Sequence, residues 1–172
     1  MKFIFSLALL VISSAAFAQA SQNYTLGAGD KVEIKVFGQP DLEVTAFLGN
    51  SGEVNYPFLG KVKLSGLNTS QVEQVITNGL KPAYLVNPNV YVQVIEYRPF
   101  YIHGEVKDPG AYAYQPAMTV NQAIALAGGL TERASIEKIF IFKEQTKQEQ
   151  QKGSLNSQIA AGDTIKIEQR LF

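Results

Sequence analysis

Ile102-His-Gly-Glu-Val-Lys-Asp-Pro-Gly-Ala-Tyr112, followed shortly by Met118-Thr-Val-Asn-Gln-Ala-Ile-Ala-Leu-Ala-Gly-Gly-Leu130, decides the fold of the carboxy-terminal half. It reads as a strand, a tight turn, a second strand and a short capped helix. Asp108, ahead of a proline, is biased to extended backbone. Pro109 fixes φ for the second position of a β-turn, and Gly110 is expected to supply the positive φ that a type II turn needs next. Thr119 is a helix cap with Gln122 three residues on, the spacing of a capping box. Val120, Ala123, Ile124 and Ala127 share one helical face. Gly128-Gly129 then stops the helix through a left-handed residue. His103 and Gly104 fall inside the first strand.

The amino-terminal half carries a different pattern. Val32, Ile34 and Val36 alternate with Glu33 and Lys35, the period-two signature of a half-buried strand. Gly27 and Gly29 make the turn into it, and Asp30 is placed to accept from nearby backbone amides. Asn50-Ser-Gly52 reads as the turn of a hairpin between strands near Glu43–Gly49 and Glu53–Phe58. Lys61–Leu64 is another short strand. From Asn68 to Leu80, Val72, Val75, Ile76 and Leu80 recur at helical spacing, with Asn68, Thr69 and Ser70 all competent caps. Pro82 and Pro88 bracket a loop before a strand at Val90–Tyr97. Lys143–Gln158, rich in Gln, Lys, Glu and Ser, reads as a solvated loop between the strand Ile139–Phe142 and a last strand. Leu26-Gly-Ala-Gly-Asp30 is echoed by Ile159-Ala-Ala-Gly-Asp163, most simply as repeated turn chemistry.

Composition bounds the function. Among 172 residues, 15 Lys and Arg balance 15 Asp and Glu, so nothing in the charge favours nucleic acid or an anionic membrane. There is no cysteine, which excludes disulfides, thiolate metal sites, a cysteine nucleophile and a lipid carried on an amino-terminal cysteine. One histidine, His103, rules out a histidine-based triad or metal cluster. A histidine inside a strand is far more often a packed or interface residue than a general base. No pair of carboxylates has the context of a glycosidase. Gly27-Ala-Gly29 precedes an alternating strand rather than a helix, which removes the logic of a dinucleotide loop. The chain reads as a non-enzyme that needs no cofactor.

Residues 1–18 read as a signal peptide: Lys2, an apolar run from Phe3 to Ile12, then small residues at Ala16, Ala18 and Ala20. Cleavage is expected after Ala18 or Ala20. The apolar run is short for about 30 Å of hydrocarbon. Loss of Lys2 leaves 14 cations against 15 acids.

The order G-E-V-x-x-P-G-x-Y, then T-x-x-x-A-I-x-x-A-G-G-L, resembles the soluble-ligand-binding β-grasp module of bacterial polysaccharide export proteins. The first half is similar to the export domain that precedes that module, through Tyr24-x-Leu26-Gly27-x-Gly29-Asp30, Gly52-x-Val54-x-Tyr56-Pro57-Phe58-x-Gly60, Gly66-Leu67 and Pro88-Asn-Val-Tyr-Val-Gln-Val94. Ser51 stands where that family usually has an aspartate. The resemblance implies an α+β chain of two small domains, residues 24–97 and 98–172, with Gly29, Asp30, Gly52, Pro57, Pro88, Gly104, Pro109, Gly110, Gly128 and Gly129 as structural motif positions. It implies a non-catalytic, ring-forming, homo-oligomeric periplasmic piece of a capsule or exopolysaccharide conduit.

Known exporters of this kind continue into a helix that lines an outer-membrane pore. This sequence ends at Phe172 soon after its last strand. It is therefore expected to sit peripherally at the outer membrane, without a lipid anchor, between an inner-membrane co-polymerase and a separate β-barrel channel. The competing reading is a β-grasp receptor for a soluble glycan or small ligand. Tyr97, Tyr101, Tyr112 and Tyr114 are its candidate contacts.

Overall fold

The computed structural model describes residues 24–146 and 150–170. The signal-peptide residues Ala16, Ala18 and Ala20 lie outside them. The fold is α+β, with two separate apolar cores. One gathers Leu26, Val32, Ile34, Leu64, Val72, Ile76 and Val92, and the other Phe100, Ile102, Val120, Ile124, Ile139, Ile165 and Ile167. The chain passes from one to the other through Tyr97-Arg98-Pro99.

In the first half, β1 (Lys31–Val36) buries its alternate residues Val32, Ile34 and Val36 as the period-two pattern requires. It is the centre of a three-stranded antiparallel sheet between β2 (Val44–Phe47) and β5 (Val90–Glu96). A second, separate hairpin joins β3 (Glu53–Tyr56) to β4 (Gly60–Lys63). Helix α1 (Thr69–Leu80) turns Val72, Ile76 and Leu80 into the core, while Val75, at the edge of that stripe, stays 41% exposed. Of the three possible caps, Asn68 is the one used: it accepts from the Gln71 amide while the Gln71 side chain accepts from the Asn68 amide.

The hairpin expected across Asn50-Ser-Gly52 does not form. β2 pairs with β1, with Val32 opposite Ala46, and β3 turns back on β4 through Pro57-Phe-Leu59. Gly52 has a different task. At φ +67° it lets the chain pass against Ser65, whose Cβ would meet any side chain placed there, and its carbonyl accepts from the Leu64 and Ser65 amides.

The second half is a five-stranded mixed sheet folded around one helix. In sheet order the strands are β7 (Gly110–Tyr112), β6 (Phe100–Gly104), β10 (Thr164–Gln169), β8 (Ala134–Phe142) and β9 (Gln150–Gly153). Only the β6–β10 pair is parallel. Helix α2 (Val120–Leu126) lies on one face, with Thr119 and Gln122 forming the expected capping box and Val120, Ala123 and Ile124 buried. Gly128 and Gly129, at φ +73° and +94°, end it.

The structure departs from two further expectations. Gly110 is not at a left-handed turn position; it opens β7. The left-handed residue is Gly104, at φ +94°, where a Cβ would collide with the Ile167 carbonyl of the neighbouring parallel strand. The chain cannot turn tightly at Pro109 because Val106 is buried and bridged to Leu130. Residues 105–109 instead follow the exit of α2, with the Lys107 and Asp108 amides donating to the Gly129 and Ala127 carbonyls. Nor is the stretch from Lys143 to Gln158 simply a loop. It holds a 3-10 turn at Glu144–Thr146 and the strand β9, Gln-Gln-Lys-Gly. An edge strand needs only backbone partners on one side, so a polar segment with no apolar signature can fill the place.

Candidate functional site

The most densely connected polar group in the described residues is where the two halves meet. Asp30 is completely buried. Its Oδ1 accepts from the Tyr24 hydroxyl at 2.6 Å and the Arg98 amide at 2.8 Å. Its Oδ2 accepts from the Gly27 amide at 2.8 Å and Arg98 Nη1 at 2.7 Å. Four donors on one carboxylate make the burial of its charge tolerable. Arg98, 8% exposed, also reaches into the second half, where Nε donates to Glu144 Oε2 at 2.8 Å. Burial works against the Arg98 charge, but Asp30, Tyr24 and Glu144 outweigh it, and its pKa lies above the usual arginine range. One guanidinium thus ties the β1 turn of the first half to the end of β8 in the second.

Around this pin the tyrosines pack. Tyr24 lies beneath the guanidinium, 5.3 Å from ring centroid to Cζ, and meets Tyr97 edge-on at 4.9 Å between centroids. Tyr97 in turn meets Tyr114 edge-on at 5.7 Å. Burial is the first cause raising all three phenol pKa values, and donation to Asp30 adds to it for Tyr24. So of the four candidate glycan contacts, Tyr97 and Tyr114 belong to a packed junction. Tyr112 stacks on Phe100, with its hydroxyl donating to the Asp108 carbonyl. Tyr101 alone stands on the opposite sheet face, 47% exposed. His103 is exposed on that same face rather than packed.

Two concavities flank the Arg98–Glu144 pair. One, of about 540 Å³, is floored by the outer face of the second sheet at Tyr101, His103, Thr164 and Phe142 and closed at one end by Arg98 and Glu144. The other, of about 390 Å³, opens on the far side of the pair, toward Tyr24, Lys143 and Asp163. Among the described residues no group of three or more His, Cys, Asp or Glu is arranged to hold a metal ion. No described helix is long and apolar enough to cross a membrane.

Of the remaining motif positions, Gly29 belongs to this junction and the others lie apart from it. Gly29, at φ +95°, sits beside Arg98 in the β1 turn, Pro57 opens the tip of the β3–β4 hairpin, and Pro88 leads into β5. Pro109 lies in the segment that passes the end of α2. No sequence motif groups Arg98, Tyr24 and Glu144. The signal was present only in the pairing of Tyr24 with a Gly-Asp turn and in a lone arginine at the domain boundary.

Each of the two halves matches a known domain type. Residues 18–95 match the family model described as polysaccharide biosynthesis/export protein, and residues 99–154 match that of the SLBB domain. The chain belongs to the polysaccharide biosynthesis/export protein family, with an SLBB domain following the export domain. It is 36% identical over 138 residues to the exopolysaccharide production protein ExoF of Rhizobium meliloti (strain 1021), covering 72% of this chain and 32% of that protein. It is 28% identical over 163 residues to the polysialic acid transport protein KpsD of Escherichia coli, covering 88% of this chain and 29% of that one. It is 25% identical over 182 residues to the EPS I polysaccharide export outer membrane protein EpsA of Ralstonia nicotianae, covering 86% of this chain and 48% of that one. The chain therefore spans about a third of the length of the first two relatives and about half of the third.

Proposed function

We propose that this chain is a non-catalytic component of a conduit that carries capsule or exopolysaccharide out of the cell. In this reading it works in the periplasm after removal of the leader at Ala18 or Ala20. It assembles as a homo-oligomeric ring and associates peripherally with the outer membrane without a lipid anchor. It passes polymer from an inner-membrane co-polymerase to an outer-membrane β-barrel channel. The observation that carries the reading is the succession of an export domain and an SLBB domain pinned together by Arg98. A fixed angle between two small domains suits an assembly in which many copies must present the same surface. Each half, at some 75 residues, buries too little surface to be robust alone, roughly 60% of what its unfolded chain exposes. Packing against the other half and against neighbouring copies offsets that.

Deleting the gene should abolish surface polysaccharide while polymer or its precursors accumulate inside the cell, and expressing the full chain should restore export. Normal surface polymer in the deletion strain would overturn the proposal. The second reading is a β-grasp receptor for a soluble glycan, and the groove of about 540 Å³ favours it. Size exclusion separates the two: a conduit piece runs as an oligomer, and a receptor can run as a monomer.

A further inference from the structure

The groove beside Arg98 has the anatomy of a subsite for one sugar unit. Strand register sets its floor: Thr164 lies opposite Tyr101 on one side and opposite Phe142 on the other, so the three form one row across β6, β10 and β8. Two strand spacings, roughly 9.5 Å, separate the aromatic positions, with the small Thr164 between them. The result is a notch with an aromatic wall on each side and a hydroxyl at its base. A sugar ring has apolar C–H faces and a rim of hydroxyls, which is the complement of such a notch. Ligand sites are commonly concave, with apolar walls and a few fixed polar groups.

The charges at the end of the notch choose between kinds of sugar. Arg98 faces two carboxylates, Asp30 at 2.7 Å and Glu144 at 2.8 Å. One cation against two anions leaves this end with a surplus of negative charge and, among the described residues, no lysine or arginine free to meet a sugar carboxylate. In the next row Lys166, opposite His103, is likewise paired, 2.8 Å from Glu168. What the groove offers instead is the second carboxylate oxygen of Glu144 and the Thr164 hydroxyl, groups suited to sugar hydroxyls. We propose that this groove binds a neutral hexose unit of the polysaccharide and discriminates against uronic and sialic acids. The inference rests on the export reading and deepens it by naming the class of sugar.

The test is an amide-resolved NMR titration of the full chain with four hexamers: neutral hexamers of glucose, galactose and mannose, and an α2,8-linked sialic acid hexamer. At least one neutral hexamer should shift the amides of residues 101–103, 142–144 and 162–164, and the sialic acid hexamer should leave them in place. Tyr101→Ala, at an exposed position, should weaken that binding roughly fivefold or more while the remaining spectrum stays folded. Three results would overturn the inference: no neutral hexamer shifting the groove, the sialic acid hexamer binding there as tightly, or unchanged affinity in Tyr101→Ala. A sialic acid hexamer that shifts only the neighbourhood of Lys152, on the β9 edge outside the groove, is compatible with it. Failure here leaves the export reading standing, because that reading is tested by the deletion strain.

Discussion

The turn at Gly29-Asp30 and the turn at Gly162-Asp163 are built alike and used differently. In each, a glycine at positive φ (+95° and +83°) precedes an aspartate whose amide donates to the carbonyl three residues back, 3.2 Å in both. Each aspartate's Oδ2 also accepts from the amide three residues back, at 2.8 Å in both. Each turn feeds a strand with alternate residues buried, β1 and β10. Both aspartates are sunk in the protein, and both hold a cation. The sequence echo between Leu26–Ile34 and Ile159–Ile167 is therefore an echo of structure as well.

The difference lies in what stands around the carboxylate. Asp30 holds Arg98, itself almost buried, and accepts from Tyr24. Asp163 holds Lys143, whose side chain is 32% exposed, at 2.6 Å. The position six residues before Asp163 is Ser157, whose hydroxyl is engaged with Ser154 instead. The same turn thus serves once as a junction between domains and once as a local brace. A planar guanidinium can donate in several directions at once, and it is the group that spans the junction.

Asp30→Ala should show the largest effect. It leaves a buried guanidinium and a half-buried phenol without their acceptor, a kind of loss that costs about 3–5 kcal/mol. Asp163→Ala should cost about 1–3 kcal/mol, because Lys143 can turn into water when its partner is gone. Urea unfolding of the two variants beside the parent measures both. Equal losses would break the distinction between junction and brace.

Glu144→Gln comes next. Its carboxylate is about one-third exposed, so solvent screens the pair with Arg98, and about 1 kcal/mol or less should be lost. The readout that sharpens the comparison is amide exchange. Faster exchange at Tyr97–Pro99's flanking amides and at Asp163, with the cores unchanged, would locate Glu144 at the hinge between halves. Faster exchange throughout the second core would assign it to local folding instead.

Much of this molecule is legible in its sequence, for identifiable reasons. β1 and α2 are written in short-range code: alternation at Val32, Ile34 and Val36, and a Thr119–Gln122 box ahead of an apolar face and a glycine stop. The errors fall where a long-range contact overrides a local signal. Asn50-Ser-Gly52 has good turn chemistry, but Gly52 is fixed by Ser65 rather than by a hairpin. Pro109-Gly110 also has good turn chemistry, yet burial of Val106 against the end of α2 moves the left-handed residue back to Gly104. β9 carries no apolar pattern because an edge strand needs none. The junction was the least visible part. Tyr24, Asp30, Arg98 and Glu144 are spread over 120 residues, and only the folded chain brings them together; the groove depends on a strand register that no local pattern encodes.

Tyr24 supplies the smallest effect and the most specific one, because the second turn has no counterpart to it. Its phenol pKa is pushed far above the ordinary value near 10, by burial first and then by its hydrogen bond to Asp30. Below about pH 10 the phenol is protonated in both the folded and the unfolded chain, and its contribution to stability is fully present. As pH rises further, the unfolded chain gives up this proton and the folded chain keeps it, so stability falls, by at most about 1.4 kcal/mol per pH unit for one phenol. Tyr56, Tyr97 and Tyr114 are raised by burial in the same sense and add to the parent's alkaline slope. Tyr24→Phe should therefore start slightly less stable at pH 7, having lost its bonds to Asp30 and Arg98, and then lose stability less steeply than the parent above pH 10. Ser157→Ala, the matching change at the second turn, should leave the alkaline slope as it is. Unfolding midpoints between pH 7 and pH 11 decide the matter: parallel curves for the parent and Tyr24→Phe would mean that this phenol titrates normally and that the junction is wetter than its geometry indicates.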